Sequence, residues 1–476
     1  MSQKNALEWV NENFGNLPFS DVRRGRRAMK IAAAMTNSPG KSIPSICENF
    51  YEVKATYDFF KHAEAIPDIL QATHRKLLHH AMTQEGEYLL IEDTSDMSYS
   101  TKRKTISGLG PIGHGKGSMQ GFHLHTTLAA KWVPFKSGAT FKKPSIEVLG
   151  LADQQYDVRQ LIPKKNGKKI PRKSSSKILA SKKESAVWEL ALERIPKPIL
   201  EKNVRYVRVC DRGADIYEVL HDSKKNGFGF VIRASQNRSL VNSSLKLFEY
   251  ASLAESIGSF DLFLRTRLDQ PAYTANLNVS MQTVTIRSSQ RPGFPAGKLP
   301  DVKCSVIRVF ESMPTAGKEP LEWFLLCDKE TISFEEAINC VLQYSCRWLV
   351  EDFHKALKTC VGAEKLQLES ADRLFAAVAI MSVIALRLIS LREQFRINAL
   401  RPAEESGLTK LEQKVLALYL KRAIKTIHDV SMAIGRLGGH LNRKSDKQPG
   451  LLTLWRGMLK LQGLVEGYKM AIESMI

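Results

Sequence analysis

Two apolar segments that each run into an aspartate restrict the fold of this sequence more than any other feature. Residues 87–91 lead into Asp93, and residues 205–210 lead directly into Asp211. Short apolar runs of this kind are typical of buried strands. Because parallel strands bring their carboxyl ends to the same edge of a sheet, acids at such ends meet there. The sequence therefore predicts that Asp93 and Asp211 each end a strand and lie at one sheet edge.

The order of segments around these strands predicts the fold class. Three strand-like segments are followed by a helix, a strand, a helix and a strand. This order fits an α/β sheet of the ribonuclease-H-like type, whose first three strands form a meander. The strand segments are 87–91, 121–130, 146–152, 205–210 and 227–234, and the helical segments are 184–194 and 216–222.

The pattern changes on both sides of this core, so the fold as a whole is predicted to be α+β. Residues 1–75 have helical patterns and an arginine cluster, which suit a DNA-docking module. Short alternating runs separated by turn residues predict an all-β insertion at about 235–328, within a core of 76–365. Residues 366–476 are predicted to be helical, and their closing amphipathic helices to dimerise.

A single helix is predicted over residues 334–358, immediately after the insertion. This stretch contains no Pro or Gly. Ser333 and Glu336 have the spacing of a capping box, in which each side chain bonds the other residue's backbone N–H. The helix is therefore expected to begin just after Ser333.

One face of this predicted helix carries an unusual set of polar groups. Tyr344, Arg347, Glu351 and Lys358 are spaced so that all four lie on roughly one side of a helix with 3.6 residues per turn. A carboxylate there can hold a hard metal ion, and cations beside it can hold phosphates. The alternative is a solvated charged face, with ordinary pairing such as Glu351 with Lys355.

Composition favours a polyanionic partner. The 476 residues include 70 Lys and Arg against 49 Asp and Glu, giving a net charge of +21. Nucleic acid suits this charge better than a membrane does, because the longest apolar run, 374–386, is shorter than the roughly 20 residues of a bilayer span. That run is predicted to be a buried core helix. The polar N-terminus does not resemble a signal peptide. The seven cysteines lack a CxxC pair, which predicts reduced thiols in the cytoplasm and no zinc site.

Three acids are candidates for metal chemistry. Asp93, Asp211 and Glu351 would together suit two Mg²⁺ ions about 4 Å apart, the arrangement that activates water and stabilises the leaving oxygen in phosphodiester displacement. The alternative for each acid is a strand-end cap or a salt bridge. Asp215 and Asp352 lie so close in sequence that either could be confused with a ligand.

These motifs resemble a known family. The Tyr-(2)-Arg-(3)-Glu-(6)-Lys spacing of Tyr344, Arg347, Glu351 and Lys358 is similar to the signature of the cut-and-paste transposases of the insertion-sequence-four group. Three further segments resemble the group's two Asp motifs and its C-terminal part, in the same order. They are 91–94, 209–212 and 432–439. The resemblance spans nearly the whole chain and is weaker at three segments, which are 164–183, 235–328 and 397–429.

The resemblance implies an activity. Such enzymes bind the inverted repeats at transposon ends, cleave the double-stranded DNA with Mg²⁺ (or Mn²⁺ as a substitute) through a hairpin, and transfer the 3′-hydroxyl ends into target DNA. They act as homodimers in a synaptic complex, in the bacterial cytoplasm and not at a membrane. Two alternatives stay open: a ribonuclease-H-like endonuclease without strand transfer, and a non-catalytic regulator or inhibitor of transposition.

The resemblance also implies roles for particular residues. Tyr344, Arg347 and Lys358 would contact DNA phosphates near the cleaved end. Trp323 would accept a flipped base by stacking, for which an aromatic face is well suited. The rival interpretation of Trp323 is a core residue on an alternating strand. Arg233 resembles an arginine that holds the flipped strand.

Basic residues elsewhere are further candidates for DNA contact. The N-terminal module would read the end sequence, and its candidate residues are Arg26, Arg27, Lys41 and Lys54. The lysine- and serine-rich residues 164–183 are predicted to be a mobile surface loop that touches phosphate.

Overall fold

The computed structural model describes most of the chain, in several stretches. The described residues are 6–99, 106–113, 119–134, 146–159, 164–165, 168–169, 186–264, 273–288, 300–313, 320–330, 333–443, 446 and 448–474.

One mixed sheet of ten strands organises the described residues, and helices flank it. Its strands follow the order β2-β3-β1-β7-β8-β12-β11-β10-β9, with β4 also paired to β3. The strands are β1 Gly86–Ser98, β2 Gly110–Pro111, β3 Gln120–Trp132, β4 Glu147–Asp157, β7 Val204–Cys210, β8 Gly229–Arg233, β9 Ser256–Leu264, β10 Tyr273–Ile286, β11 Val302–Glu311 and β12 Glu322–Cys327, while β5 Lys164–Lys165 and β6 Lys168–Lys169 form a separate hairpin.

The predicted order of strands and helices through the first part of the sheet is confirmed. Strands β1, β3 and β4 pair antiparallel, and β7 and β8 then add parallel to β1 on its other side. Helix α7 (Val187–Arg194) precedes β7, and helix α8 (Tyr217–Lys225) connects β7 to β8. The chain is therefore mixed α/β, and its assignment to the ribonuclease-H-like type stays a prediction.

Strand β1 does not end at Asp93, so that part of the prediction is wrong. It continues to Ser98 because β3 still pairs with it there, and Asp93 lies opposite Thr126. Only the parallel pairing with β7 stops, at the Glu92–Cys210 pair. The prediction for Asp211 is correct, since it follows the last residue of β7.

The β-rich insertion is part of the same sheet and is not entirely β. Strand β12 pairs with β8, so strands β9 to β12 extend the sheet antiparallel from its parallel part. A sheet edge exposes unpaired backbone groups, and β12 covers the edge that β8 would otherwise present. Helix α9 (Leu247–Ser252) also lies within the insertion, which corrects the all-β prediction.

The single helix predicted over 334–358 is two helices. Helix α10 (Phe334–Ser345) begins with the predicted Ser333–Glu336 capping box, and helix α11 (Trp348–Lys355) follows a break at Cys346 and Arg347. At the break, backbone N–H groups bond three residues back, which tightens the turn. Cys346 is fully buried at this point, so the break turns an apolar residue into the core. A π-helical turn, Ala356–Cys360, continues α11.

Helices form both ends of the chain. Helix α12 (Ala371–Ile397) crosses the core, and residues of the predicted apolar run 374–386 are buried, which confirms the core-helix prediction. Among the described helices it alone is long and apolar enough to cross a membrane, but 72% of its most apolar window is buried in the protein. The remaining helices are α1 Ala6–Phe14, α2 Val22–Asn37, α3 Ile43–Ile46, α4 Phe50–Phe60, α5 Pro67–Leu70, α6 Ala72–Ala81, α13 Lys410–Leu420, α14 Ile427–Leu437 and α15 Leu451–Glu473.

Candidate active site

The register of the sheet brings the two predicted aspartates side by side. Asp93 and Asp211 lie one residue beyond the last pair of β1 and β7, and Arg233 of β8 lies at the same level. Neighbouring strands are about 4.8 Å apart, so the three backbones form a short row. Arg233 pairs with Leu325 of β12, and Trp323 is two residues away on the same face. The structure thus aligns four predicted residues from four adjacent strands.

Asp93 lies in an environment that disfavours its charge. Burial and then the negative charge of Asp211 raise its pKa to about 6, and Glu351 adds to the increase. A hydrogen bond from the Thr94 N–H (2.8 Å) and the positive charge of Arg347 oppose the shift. The three predicted acids therefore lie close enough for two of them to act electrostatically on Asp93.

Arg347 joins two of the acids. Its Nη1 lies 3.3 Å from Oδ2 of Asp93, and its Nη2 donates a hydrogen bond to Oε1 of Glu351. Burial lowers the pKa of Arg347, but the charges of Glu351, Tyr344 and Asp93 outweigh this and raise it. The break before α11 places Arg347 one helical turn before Glu351, which is the spacing that this contact needs.

Asp211 is held differently. Its carboxylate accepts a hydrogen bond from the Gly213 N–H at 2.8 Å and caps the short 3₁₀ turn Arg212–Ala214. The strand-end cap that the sequence offered as an alternative is therefore present. A cap of this kind uses one carboxylate oxygen, so a second oxygen still has lone pairs for another ligand.

Lys358 and Tyr344 lie on either side of the acids. Lys358 donates a hydrogen bond from Nζ to Oγ of Ser95 at 2.7 Å, and Ser95 lies on the same face of β1 as Asp93. Tyr344 is half-buried at the end of α10. Of the four residues predicted on one face, Arg347 and Lys358 contact β1 at Asp93 and Ser95, and Glu351 contacts Arg347.

A cleft of about 420 Å³ opens beside the aspartates. Its walls include Asp93, Asp211 and, across from them, Trp188 of α7. His123 and its cross-strand partner Asp96 also line it, with Nδ1 of His123 2.8 Å from Oδ1 of Asp96. The cleft gives an extended polar ligand access to the acids from one side of the sheet.

The three carboxylates suit a hard cation chemically, but two of them, those of Asp93 and Glu351, contact Arg347. Within the described residues, no three His, Cys, Asp or Glu side chains stand together so that they could hold a metal ion. Carboxylate oxygens are nevertheless the ligands that Mg²⁺ prefers. Burial, and then the negative charge of Asp211, raises the pKa of Asp93 to about 6, and a cation bound there would favour the charged form. The chemistry of Asp93, Asp211 and Glu351 thus suits Mg²⁺, and the magnesium site stays a prediction.

The neighbouring acids Asp215 and Asp352 have structural partners instead. Asp215 accepts the N–H groups of Ser235 and Gln236 and pairs with Arg238 at 2.6 Å. Asp352 pairs with a buried arginine of α12, Arg392, at 2.5 Å. The structure thus separates the candidate ligands from their neighbours in sequence.

A buried ion pair beneath the acids was not predicted from the sequence. Arg208 of β7 makes two hydrogen bonds of 2.7 Å to Glu92 of β1, and a third to the Trp188 carbonyl. Burial raises the pKa of Glu92, but Arg208 outweighs this and lowers it to about 2. The signal in the sequence was a glutamate and an arginine of opposite charge within two mostly apolar segments.

A second unpredicted network fixes helix α11. The Arg392 guanidinium lies 4.9 Å from the ring centre of Trp348, and its Nε bonds Glu393 at 2.8 Å. Together with its pair to Asp352, these contacts join α11 to α12. Because Glu351 neighbours Asp352, this junction sets the position of the third acid.

Trp323 has features of both interpretations offered for it. It is half-buried on β12 opposite Val309 and packs against the main core. Within the described residues its indole Nε1 is buried without a hydrogen-bond partner. A buried Trp usually finds a partner for this N–H. Its role with a flipped base stays a prediction.

The four predicted DNA contacts in the N-terminal module differ in exposure and in ion pairing. Arg26, Lys41 and Lys54 are exposed. Arg27 is instead half-buried and pairs with Glu52 at 2.5 Å, which joins α2 to α4. Most of 164–183, the predicted phosphate-contacting loop, lies outside the described residues.

Comparison with known protein families gives the N-terminal segment a class. Residues 6–65 match the transposase DNA-binding family. This range holds helices α1 to α4 and all four predicted N-terminal DNA contacts. The match supports a DNA-binding transposase, with DNA as its partner.

Proposed function

We propose that this chain is a metal-dependent DNA transposase of the insertion-sequence-four group, similar to the transposase of transposon five, with a ribonuclease-H-like core. The family match to residues 6–65 supports transposon DNA as the substrate. The observation that carries the catalytic part is the meeting of Asp93, Asp211 and Glu351 beside a cleft. The motif resemblance supports the group.

The proposed chemistry assigns Asp93, Asp211 and Glu351 to Mg²⁺. Bound Mg²⁺ would supply activation of water and stabilisation of the leaving oxygen during phosphodiester displacement. The three carboxylates hold and orient the ions. Arg347 and Lys358 bind phosphates next to the acids, where a guanidinium offers two parallel N–H groups to one phosphate.

The proposed reaction has the steps of cut-and-paste transposition. Water first breaks a phosphodiester at the transposon end and leaves a 3′-hydroxyl. That hydroxyl attacks the opposite strand, which forms a hairpin and releases flanking DNA. A second water opens the hairpin, and the 3′-hydroxyl then attacks target DNA. Trp323 and Arg233 lie on strands next to those of the aspartates and would hold a base that leaves the helix at the hairpin step.

The proposed homodimer forms through the C-terminal helices. The second half of α15 is exposed, and the apolar side chains of Leu464 and Ile472 lie on one side of it, eight residues apart. An apolar helix face in water is stabilised by burial against another surface. A second copy of α15 would provide that surface in a synaptic complex.

The test is Mg²⁺-dependent cleavage of a linear DNA that carries the inverted repeats flanking the gene. We expect cleavage at the repeat boundary, and at least a hundredfold loss of rate in Asp211→Ala, because a metal ligand is removed. Asp96→Asn is the matched control, since Asp96 lines the same cleft but is not one of the three acids. Equal cleavage by the wild type and Asp211→Ala would refute the metal mechanism. Nicks without hairpins would refute only the hairpin step.

Binding and chemistry are separated with Glu351→Ala. Because Glu351 is assigned to the metal and not to DNA, this variant is expected to keep binding the same DNA and to lose cleavage. Electrophoretic mobility shifts and the cleavage assay measure the two properties. Loss of both would indicate that Glu351 instead supports the structure of α11.

A further inference from the structure

We propose that Arg347 is a latch which keeps the metal site closed until DNA is bound. The inference rests on the proposed function of Asp93 and Glu351 as metal ligands. The Arg347 guanidinium contacts both carboxylates. When a DNA phosphate takes this guanidinium, the two carboxylates become available to Mg²⁺.

The geometry sets Arg347 and a metal ion in competition for the same acids. Nη1 of Arg347 lies 3.3 Å from Oδ2 of Asp93, and Nη2 bonds Oε1 of Glu351. One cation thus uses an oxygen atom from each of two proposed ligands, and the other oxygen of Asp93 accepts the Thr94 N–H at 2.8 Å. A divalent ion bound by the same carboxylates would lie next to the guanidinium charge, which repels it. Metal binding is therefore weakened while Arg347 keeps this position.

The latch is easy to open from the side that DNA would approach. The Glu351 side chain is 53% exposed and that of Arg347 is 23% exposed. Water therefore already solvates the exposed Glu351 carboxylate, which makes this half of the contact weak. A phosphate offers the guanidinium two acceptor oxygens in the geometry that it prefers. The exchange of a carboxylate for a phosphate is thus close to balanced, and the high charge of DNA favours it.

Two neighbouring cations show why Arg347 alone serves as the latch. Lys358 lies on the same side of β1, but its Nζ bonds Ser95 and is 4.0 Å from Glu364, so it is paired with none of the three acids. Arg233 lies in the row with Asp93 and Asp211, and no ion pair to an acid is found for it within the described residues. Removal of either charge would therefore release no ligand.

Linkage makes the coupling reciprocal. If DNA raises the affinity for metal by some factor, metal raises the affinity for DNA by the same factor. Free protein would then bind Mg²⁺ weakly and carry no loaded nuclease site. Cleavage chemistry would be assembled only on DNA whose phosphates reach Arg347.

The test measures Mn²⁺ binding to the full-length protein by electron paramagnetic resonance of the free ion, without DNA. We expect Arg347→Gln to bind Mn²⁺ about tenfold more tightly than the wild type, a typical size for such coupling. Lys358→Gln removes the same charge nearby without freeing a ligand and is expected to change affinity little. Asp211→Asn identifies the site, because it should abolish this binding in either background. Far-UV circular dichroism checks that each variant is folded.

The outcomes distinguish the latch from the proposed function. Unchanged affinity in Arg347→Gln, with binding that still depends on Asp211, would overturn the latch and leave the metal mechanism intact. An equal gain in Lys358→Gln would also overturn the latch, since general charge would then explain the effect. If Asp211→Asn has no effect on Mn²⁺ binding, with or without a duplex carrying the terminal repeat, the proposed metal site fails, and the latch with it.

Discussion

At the scale of single residues, Glu92–Arg208 is the ion pair near the acids whose disruption is expected to cost the most stability. Both side chains are almost fully buried, and Arg208 makes two hydrogen bonds to Glu92. Removal of one partner leaves a buried charge without compensation, which costs about 3–5 kcal/mol. We therefore expect Arg208→Met to lower the free energy of unfolding by that amount in urea titrations.

The control for this prediction is Arg205→Met on the same strand. Arg205 pairs with Asp328 at 2.8 Å, but the two side chains are 34% and 12% exposed, and Asp328 would keep the hydrogen bond from the Phe230 N–H. Its replacement is expected to cost clearly less. The double variant Glu92→Gln/Arg208→Met should recover part of the free energy of unfolding that Arg208→Met loses. Equal losses for Arg205→Met and Arg208→Met would contradict the special cost of the buried pair.

At the scale of elements, the position of helix α11 depends on Arg392. This residue contacts Trp348 and Asp352 of α11 from α12. Hydrogen bonds to charged groups contribute about 1.5–3 kcal/mol each. Arg392→Gln is expected to lower the free energy of unfolding by about this amount, as measured by urea denaturation. It should also weaken Asp211-dependent Mn²⁺ binding, because Glu351 then loses its fixed position.

Arg396→Gln is the matched variant for that measurement. Arg396 lies 5.7 Å from the same Trp348 ring and pairs with Glu393, but it makes no ion pair with α11 within the described residues. Its effect on Mn²⁺ binding should be small. If Arg392→Gln is as well tolerated as Arg396→Gln, the junction does not position Glu351.

The elements also show what the sequence could and could not predict. The strand order, the Ser333–Glu336 cap and the buried α12 followed from local patterns, because apolar periodicity and capping act within a few residues. Two features did not follow from local patterns. Strand β1 continues past Asp93 because β3 pairs with it there, and the helix breaks at Cys346 and Arg347 because Cys346 packs into the core. The three acids were predicted from motifs, whereas the contact of Arg347 with two of them depends on packing between distant segments.

At the scale of the whole molecule, His74 joins the DNA-binding segment to the sheet. Its Nδ1 lies 2.7 Å from Oδ1 of Asn13 in α1, and its Nε2 accepts a hydrogen bond from the Leu151 N–H of β4 at 2.9 Å. These partners require a neutral ring with its proton on Nδ1. Protonation of Nε2 would destroy the bond to β4.

This arrangement predicts how acid affects stability. Burial, followed by the charges of Arg75 and His79, lowers the pKa of His74 from 6.5 to about 3. The unfolded chain therefore binds a proton between pH 6.5 and 3 that the folded chain does not. The contribution of His74 is complete above pH 6.5 and is lost as the pH falls from 6.5 towards 3, by about 1.4 kcal/mol per unit. Unfolding free energies of the wild type and His74→Gln, measured from pH 7.5 to 5, should converge as the pH falls.

The exposed His80 on the same helix provides the control, because its replacement removes a histidine of α6 that is not buried. His80→Gln should lose stability with falling pH as steeply as the wild type. The dependence of unfolding free energy on pH should be weaker only in His74→Gln, by the equivalent of one bound proton. Any other buried histidine contributes equally to all three proteins. Equal slopes of unfolding free energy against pH in the three proteins would mean that the buried position between α1 and β4 does not keep His74 neutral. The DNA-binding segment would then be attached to the sheet mainly by apolar contacts, and mild acid would not loosen it.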